Sequence, residues 1–247
     1  ALLFATLLGL SMGFTLNYSS FNCQSSAQSP FNAASASSTA ATSTVTYELD
    51  VNSNSVTFTS ETNNLYHAST AWGSVEKKAS SDTKETIEQI RVHAPAEFQY
   101  NGAYSSVEVQ VYTPNFVVHV FYNTGTSENE FLKDVIASAT ASTSVDLDDL
   151  FGGYKEIGNF HWSSTTSSIP QSATSSSCKT VEHVFWTRVQ TATAAQITSL
   201  TTLTGTAARL GLKTSSTATL TFYNGDDDDS ALATAFRLVA LLAAFFF

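Results

Sequence analysis

Basic residues are scarce in this chain: 11 Lys and Arg stand against 21 Asp and Glu, a formal net charge of −10. So few cations leave no basic face for neutralising phosphates, and nucleic acid is excluded as an expected partner. No Gly-rich phosphate loop, P-loop lysine motif or internal repeat is present, so nothing in the chain points to nucleotide binding or a solenoid. Cysteine is limited to Cys23 and Cys178. The pair reads either as one long-range disulfide made in an oxidising compartment or as two buried thiols; the extracellular character of the rest favours the bridge.

What is abundant is hydroxyl. Ser and Thr fill long stretches while charged residues make up only 13% of the chain, giving a polar but weakly charged surface. Runs such as Ser163–Ser168 and Ser172–Ser177 read as sites for O-linked glycans, and Asn17-Tyr18-Ser19 is an N-glycosylation sequon. At 247 residues the expected organisation is one sizeable domain. Residues 1–22 form an apolar segment that resembles a secretory signal or serves assembly, 23–222 the domain, and 223–247 an acidic spacer with an apolar tail. Small residues, the Asp226–Asp229 spacer and an apolar end also follow the pattern of a GPI-attachment signal. The expected location is therefore secreted, extracellular or at the cell surface, with anchoring to a membrane through that tail as one option. Apolar ends that stay on the chain would instead be buried in neighbouring copies.

Period-two alternation dominates the middle of the sequence. Thr44–Val51, Ser55–Ser60, Thr86–His93, Ser106–Tyr112 and Phe116–Tyr122 alternate β-formers with polar residues, as half-buried strands do. Asn101-Gly102 supplies the positive-φ pair of a tight hairpin. Helical spacing is confined to Glu130–Ala137 and Thr193–Leu200. Gly152-Gly153 and the Asp146–Asp149 region read as loop, and the expected class is mainly β (α+β) with short helices.

Five segments in order carry a resemblance to the α-carbonic anhydrase family, from about Cys23 to Leu200. Gln28-Ser29-Pro30-Phe31-Asn32 resembles the family's Q-S-P-[IV]-[ND] box. The stretch Gln89–Gly102, with Arg91, His93, Glu97 and Asn101, resembles Q-x-H-x-H-x-P-S-E-H-x-x-N-G. Val107–Tyr112, with Glu108 and Gln110, resembles E-x-H-x-V-H, Ser172–Cys178 resembles S-L-T-T-P-P-C, and Glu182–Trp186 resembles E-x-V-x-W. The resemblance implies a twisted, mostly antiparallel sheet with a few short surface helices and a conical pocket. It also places Cys23 and Cys178 where the family has its bridge.

In active members three histidines from two neighbouring strands hold Zn²⁺ and leave the fourth position to water. By the resemblance those three positions are Arg91, His93 and Gln110 here, and the proton-shuttle position is Ser55. Arg cannot ligate, Gln offers only an amide oxygen, and Ser does not titrate near neutrality. Thr174 and Glu97, which in the family orient the metal-bound hydroxide, and Glu108, which steadies the third ligand, are retained. The retained carboxylates would then hydrogen-bond inside the sheet, with Arg91 as a partner. His67, His119, His161 and His183 lack ligand spacing to one another and read as surface or packing residues. The expectation is a non-catalytic structural or interaction protein, a filament subunit among its forms, with no metal and no cofactor. The alternatives are a carbonic anhydrase with a rearranged metal site and a GPI-anchored ligand-binding module.

Overall fold

The computed structural model describes residues 32–35, 46–61, 64–78, 82–151, 156–157, 160–170, 178–186, 188–205 and 217–222, and at 33–35, 46, 61, 78, 156–157, 160–170, 178–180 and 217–222 the backbone alone. Cys23, Asn17, Thr174, the Asp226–Asp229 run and both apolar ends lie outside the described residues, as does the side chain of Cys178. The proposed disulfide is thus outside them as well.

The first strands are β1 (Asn32–Ser35), β2 (Thr46–Val51), β3 (Ser53–Val56), β4 (Thr59–Glu61), β5 (Asn64–Ala68), β6 (Gly73–Lys78) and β7 (Thr83–Thr86). Next come β8 (Gln89–His93), β9 (Gln99–Tyr100), β10 (Ala103–Tyr104), β11 (Val107–Tyr112) and β12 (Phe116–Gly125), then α1 (Glu130–Ser138), β13 (Thr143–Asp146) and α2 (Leu147–Leu150). The chain continues with β14 (Glu156–Ile157), β15 (Phe160–Pro170), β16 (Cys178–Trp186), β17 (Gln190–Thr193), α3 (Ala194–Thr204) and β18 (Thr217–Phe222).

One large mixed sheet runs β10-β9-β1-β18-β15-β16-β12-β11-β8-β5-β4, with β17 also on β12. A four-stranded sheet β14-β2-β6-β7 and the pair β13-β3 complete the strands among the described residues. The class is as the alternating sequence implied: mostly strand, with a few short helices.

The large sheet has two unlike faces because side chains alternate along each strand. Ile90 and Val92 of β8, Val107, Val109 and Val111 of β11, Val118 and Val120 of β12 and Val184 and Trp186 of β16 point one way, into the main core. Phe131, Leu132 and Val135 of α1, Leu147 and Leu150 of α2, Leu200 of α3 and Tyr47, Leu49 and Val75 of the four-stranded sheet close that core from the other side. Each buried Val, Leu or Phe contributes about 1.5–3 kcal/mol relative to exposure. The opposite face carries the polar residues considered below.

Local chemistry sets the ends. Asn101 (φ 52) and Gly102 (φ 78) make the β9–β10 hairpin turn. Asn129 caps α1 through the Leu132 N–H, and Thr193 with Gln196 forms a capping box on α3. Three expectations need correction. The run Ser55–Ser60 is not one strand: β3 ends at Val56 in the two-stranded sheet and β4 starts at Thr59 in the large one. Asp146–Asp149 is not loop: the Asp146 carboxylate takes the Asp148 N–H and starts α2. The run Thr86–His93 is not one strand; the chain changes sheets at Ile87-Glu88, whose N–H groups go to Gly73 and Tyr112 carbonyls.

Candidate functional site

On the second face, β8 presents Arg91 and His93, β11 presents Glu108, Gln110 and Tyr112, β12 presents His119 and Phe121, and β16 presents His183 and Phe185. The registers place Gln110 opposite both Arg91 and His119, and Glu108 opposite both His93 and Phe121. Val117 is opposite His183, and His119 opposite Phe185. So the strand pairing gathers Arg91, His93, Glu108 and Gln110 on one enclosed surface, and the segment between β8 and β9 adds Glu97; all are at most 6% exposed.

Arg91 lies between two rings, with its guanidinium carbon 5.5 Å from the centre of Tyr66 and 5.4 Å from that of Tyr112. These are cation–π distances. His93 Nδ1 is 3.5 Å from a Glu97 carboxylate oxygen. Burial raises the Glu97 carboxyl above its ordinary value, opposed by the nearby His93 and Arg91 charges and the Gln110 amide.

Glu108 is the hub. Its Oε2 accepts the backbone N–H groups of Glu97 and Phe98 at 2.8 and 3.0 Å, and its Oε1 accepts from Gln110 Nε2 at 3.0 Å and from His119 Nδ1 at 2.7 Å. Full burial would push its carboxyl up, but the hydrogen bond and charge of His119, with help from His93 and Gln110, outweigh it and hold the group below its ordinary value. The expected Glu108–Arg91 hydrogen bond is not what organises this carboxylate; backbone amides and His119 are.

Gln110 is fixed at both ends, its amide N–H on Glu108 and its Oε1 accepting the Tyr112 hydroxyl at 2.5 Å. Of the residues read as surface or packing, two are packed in the interior and linked to each other. His119 Nε2 meets His183 Nδ1 at 2.8 Å, and both rings are sealed in the sheet face under Phe98 and Phe185. His67 is half-buried and bonds the Thr57 carbonyl from its Nδ1 at 3.0 Å. The side chain of His161 is outside the description. Ser55 is exposed on β3, opposite Ser144 in the separate two-stranded sheet.

The signal that could have found the His119–His183 pair is in Phe116–Tyr122. Every residue but His119 is apolar or aromatic, so a histidine there is buried on either face and needs a partner.

The donor set does not fit a zinc ion. A guanidinium has no lone pair to give, the Gln110 oxygen is taken by Tyr112, and both His119 nitrogens are engaged, which leaves His93 as the one imidazole at the three positions. Among the described residues no group of three or more His, Cys, Asp or Glu could hold a metal ion.

No family model matches the chain, and no curated protein matches it in sequence. Solved structures do match in fold. The α-carbonic anhydrase of Photobacterium profundum aligns with TM-score 0.58 at 17% identity, over 76% of this chain and 85% of that one. The enzyme from Thermovibrio ammonificans, solved with the inhibitor sulfanilamide, gives 0.58 at 15% over 81% and 88%. Dioscorin complexed with ascorbate gives 0.58 at 15% over 81% and 87%.

Proposed function

We propose that this chain, which has the α-carbonic anhydrase fold, is a non-catalytic member of that architecture, acting as a structural or interaction protein outside the cell or on its surface. The observation that carries the reading is Arg91. Its guanidinium is buried between Tyr66 and Tyr112 at a position where the resemblance puts a zinc ligand, so a fixed cation stands where a divalent cation would have to bind. Gln110, at a second such position, is spent on Glu108 and Tyr112. A fold hosts chemistry only through its site residues, and one fold neighbour is a dioscorin solved with ascorbate, which supports reading architecture and reaction separately.

Metal analysis of the purified full chain together with a carbon dioxide hydration assay tests this. Zinc well below one per chain and no acceleration over buffer are expected. Stoichiometric zinc with hydration activity would restore the rearranged-site enzyme. Introducing Arg91→His with Gln110→His completes a three-histidine set with His93 and is expected to bring in zinc binding.

The structural role we propose includes self-association through the apolar ends, with glycans on the Ser/Thr runs and Asn17 and with the C-terminal tail as an alternative membrane anchor. Sedimentation of the full chain against a version lacking residues 1–22 or 230–247 decides it. Loss of assembly on truncation is expected; unchanged assembly leaves the anchored, monomeric ligand-binding module as the better account.

A further inference from the structure

The Glu108–His119–His183 chain crosses three adjacent strands, β11, β12 and β16, and joins Glu108 to two histidines outside the set that the family resemblance singled out. Its links are 2.7 and 2.8 Å, and all three residues are at most 1% exposed. The His119 ring is 4.5 Å from both the Phe98 and the Phe185 ring centres, so apolar cover closes over the link.

The proton positions follow from the partners. Glu108 faces four donors and is therefore a carboxylate, which puts a hydrogen on Nδ1 of His119. A neutral His119 then offers only the Nε2 lone pair, and His183 must donate its Nδ1–H to it. The 2.8 Å link has room for one hydrogen, so an added proton on His183 would set two N–H donors against each other across it unless the shared hydrogen is given up.

We propose that this chain is a pH-sensitive clasp, holding β11, β12 and β16 together at neutral pH and loosening the β12–β16 seam in mild acid. Burial, with the His119 charge added, holds the His183 imidazole well below its ordinary value, so the folded clasp refuses a proton that an unfolded imidazole accepts. Each proton missing from the folded state costs the folding equilibrium tenfold per pH unit below that ordinary value. Among the described residues, the charged or titratable groups on this face are Arg91 and His93 from β8, Glu97 from the segment before β9, Tyr100 of β9 stacked on Phe185, and Tyr112 beyond Gln110 on β11. From β15, His161 and Ser163 pair with Phe185 and His183 through the backbone.

The test is urea unfolding of the full chain at pH 7.5, 6.5 and 5.5, for the natural protein, His183→Phe and a His67→Gln control. The natural protein and the control are expected to lose about fivefold in folding equilibrium between pH 6.5 and 5.5, a loss that shrinks several-fold in His183→Phe. An equal loss in His183→Phe, or no loss in the natural protein, overturns the clasp. Should His183→Phe not fold, ¹⁵N spectra of histidine-labelled natural protein answer the question. His183 staying neutral in the folded state at pH 5.5 supports the clasp, and ordinary titration near the free-imidazole value overturns it.

Discussion

Glu108 carries four hydrogen bonds on two oxygens, and two of its donors are backbone N–H groups that cannot turn away. A carboxylate suits this arrangement because it only accepts. An amide in its place would aim an NH₂ group at donors, leaving at least one buried N–H unmatched. Glu108→Gln is therefore expected to destabilise the fold by about 3 kcal/mol, measured by urea unfolding at pH 7.5. A change below about 1 kcal/mol would mean that the hub is not needed. Arg91 gives a second expectation at this scale. A lysine keeps the charge but not the flat group that lies against Tyr66 and Tyr112, so Arg91→Lys should lose about 1–2 kcal/mol, read from the same measurement.

Between elements, the four-stranded sheet is tied to the large one by a half-buried trio. Tyr47 of β2 donates its hydroxyl to Glu182 of β16, and Lys77 of β6 donates to both Glu182 oxygens at 2.8 and 2.7 Å. Burial raises the Tyr47 phenol further above its ordinary value, and the Glu182 charge adds to this, so it stays a donor at any working pH. Glu182→Ala should strip Tyr47 and Lys77 of their acceptor and cost about 2 kcal/mol. Hydrogen exchange should show protection lost first in β2, β6 and β7; uniform loss across both sheets would contradict a local tie. This scale also separates what was legible in the sequence from what was not. Strands β2, β11 and β12, the Asn101-Gly102 turn and both longer helices follow from periods of two and 3.6, which are local properties. The break at Ile87-Glu88 was invisible because Thr86–His93 alternates straight through it, and only the Gly73 and Tyr112 carbonyls show where the chain leaves one sheet for another. Strand β15 is masked by its Ser/Thr run, which resembles a loop in composition. At the site, Arg91, His93, Glu97, Glu108 and Gln110 came from motif order. The His119–His183 link did not, because it needs the parallel register of β12 on β16, and 64 residues separate the partners.

The buried charges of the polar face act on the whole molecule through its proton balance. Glu108 is held below its ordinary value near 4.5, so its contribution is present above that pH and fades as the pH falls through the folded value. His183, held well below 6.5, acts in the same direction: its contribution is intact above 6.5 and lost as the pH drops beneath it. Glu97 runs the other way. Burial holds its carboxyl above 4.5, so the folded molecule binds this proton more tightly than the unfolded chain does. That contribution is complete below 4.5 and disappears as the pH rises through the folded value. At neutral pH an ionised Glu97 is thus a burden that His93 and Arg91 only partly offset, and at pH 5 it is less of one. Replacing it by a neutral group of the same shape removes the burden without emptying the site. The stability of Glu97→Gln relative to the natural protein should therefore be greater at pH 8 than at pH 5. Urea midpoints at pH 5, 6.5 and 8 measure it. A difference that stays flat, or that falls with pH, would show that Glu97 is matched by its neighbours as an ionised group and that His183 and Glu108 alone shape the acid side of the profile.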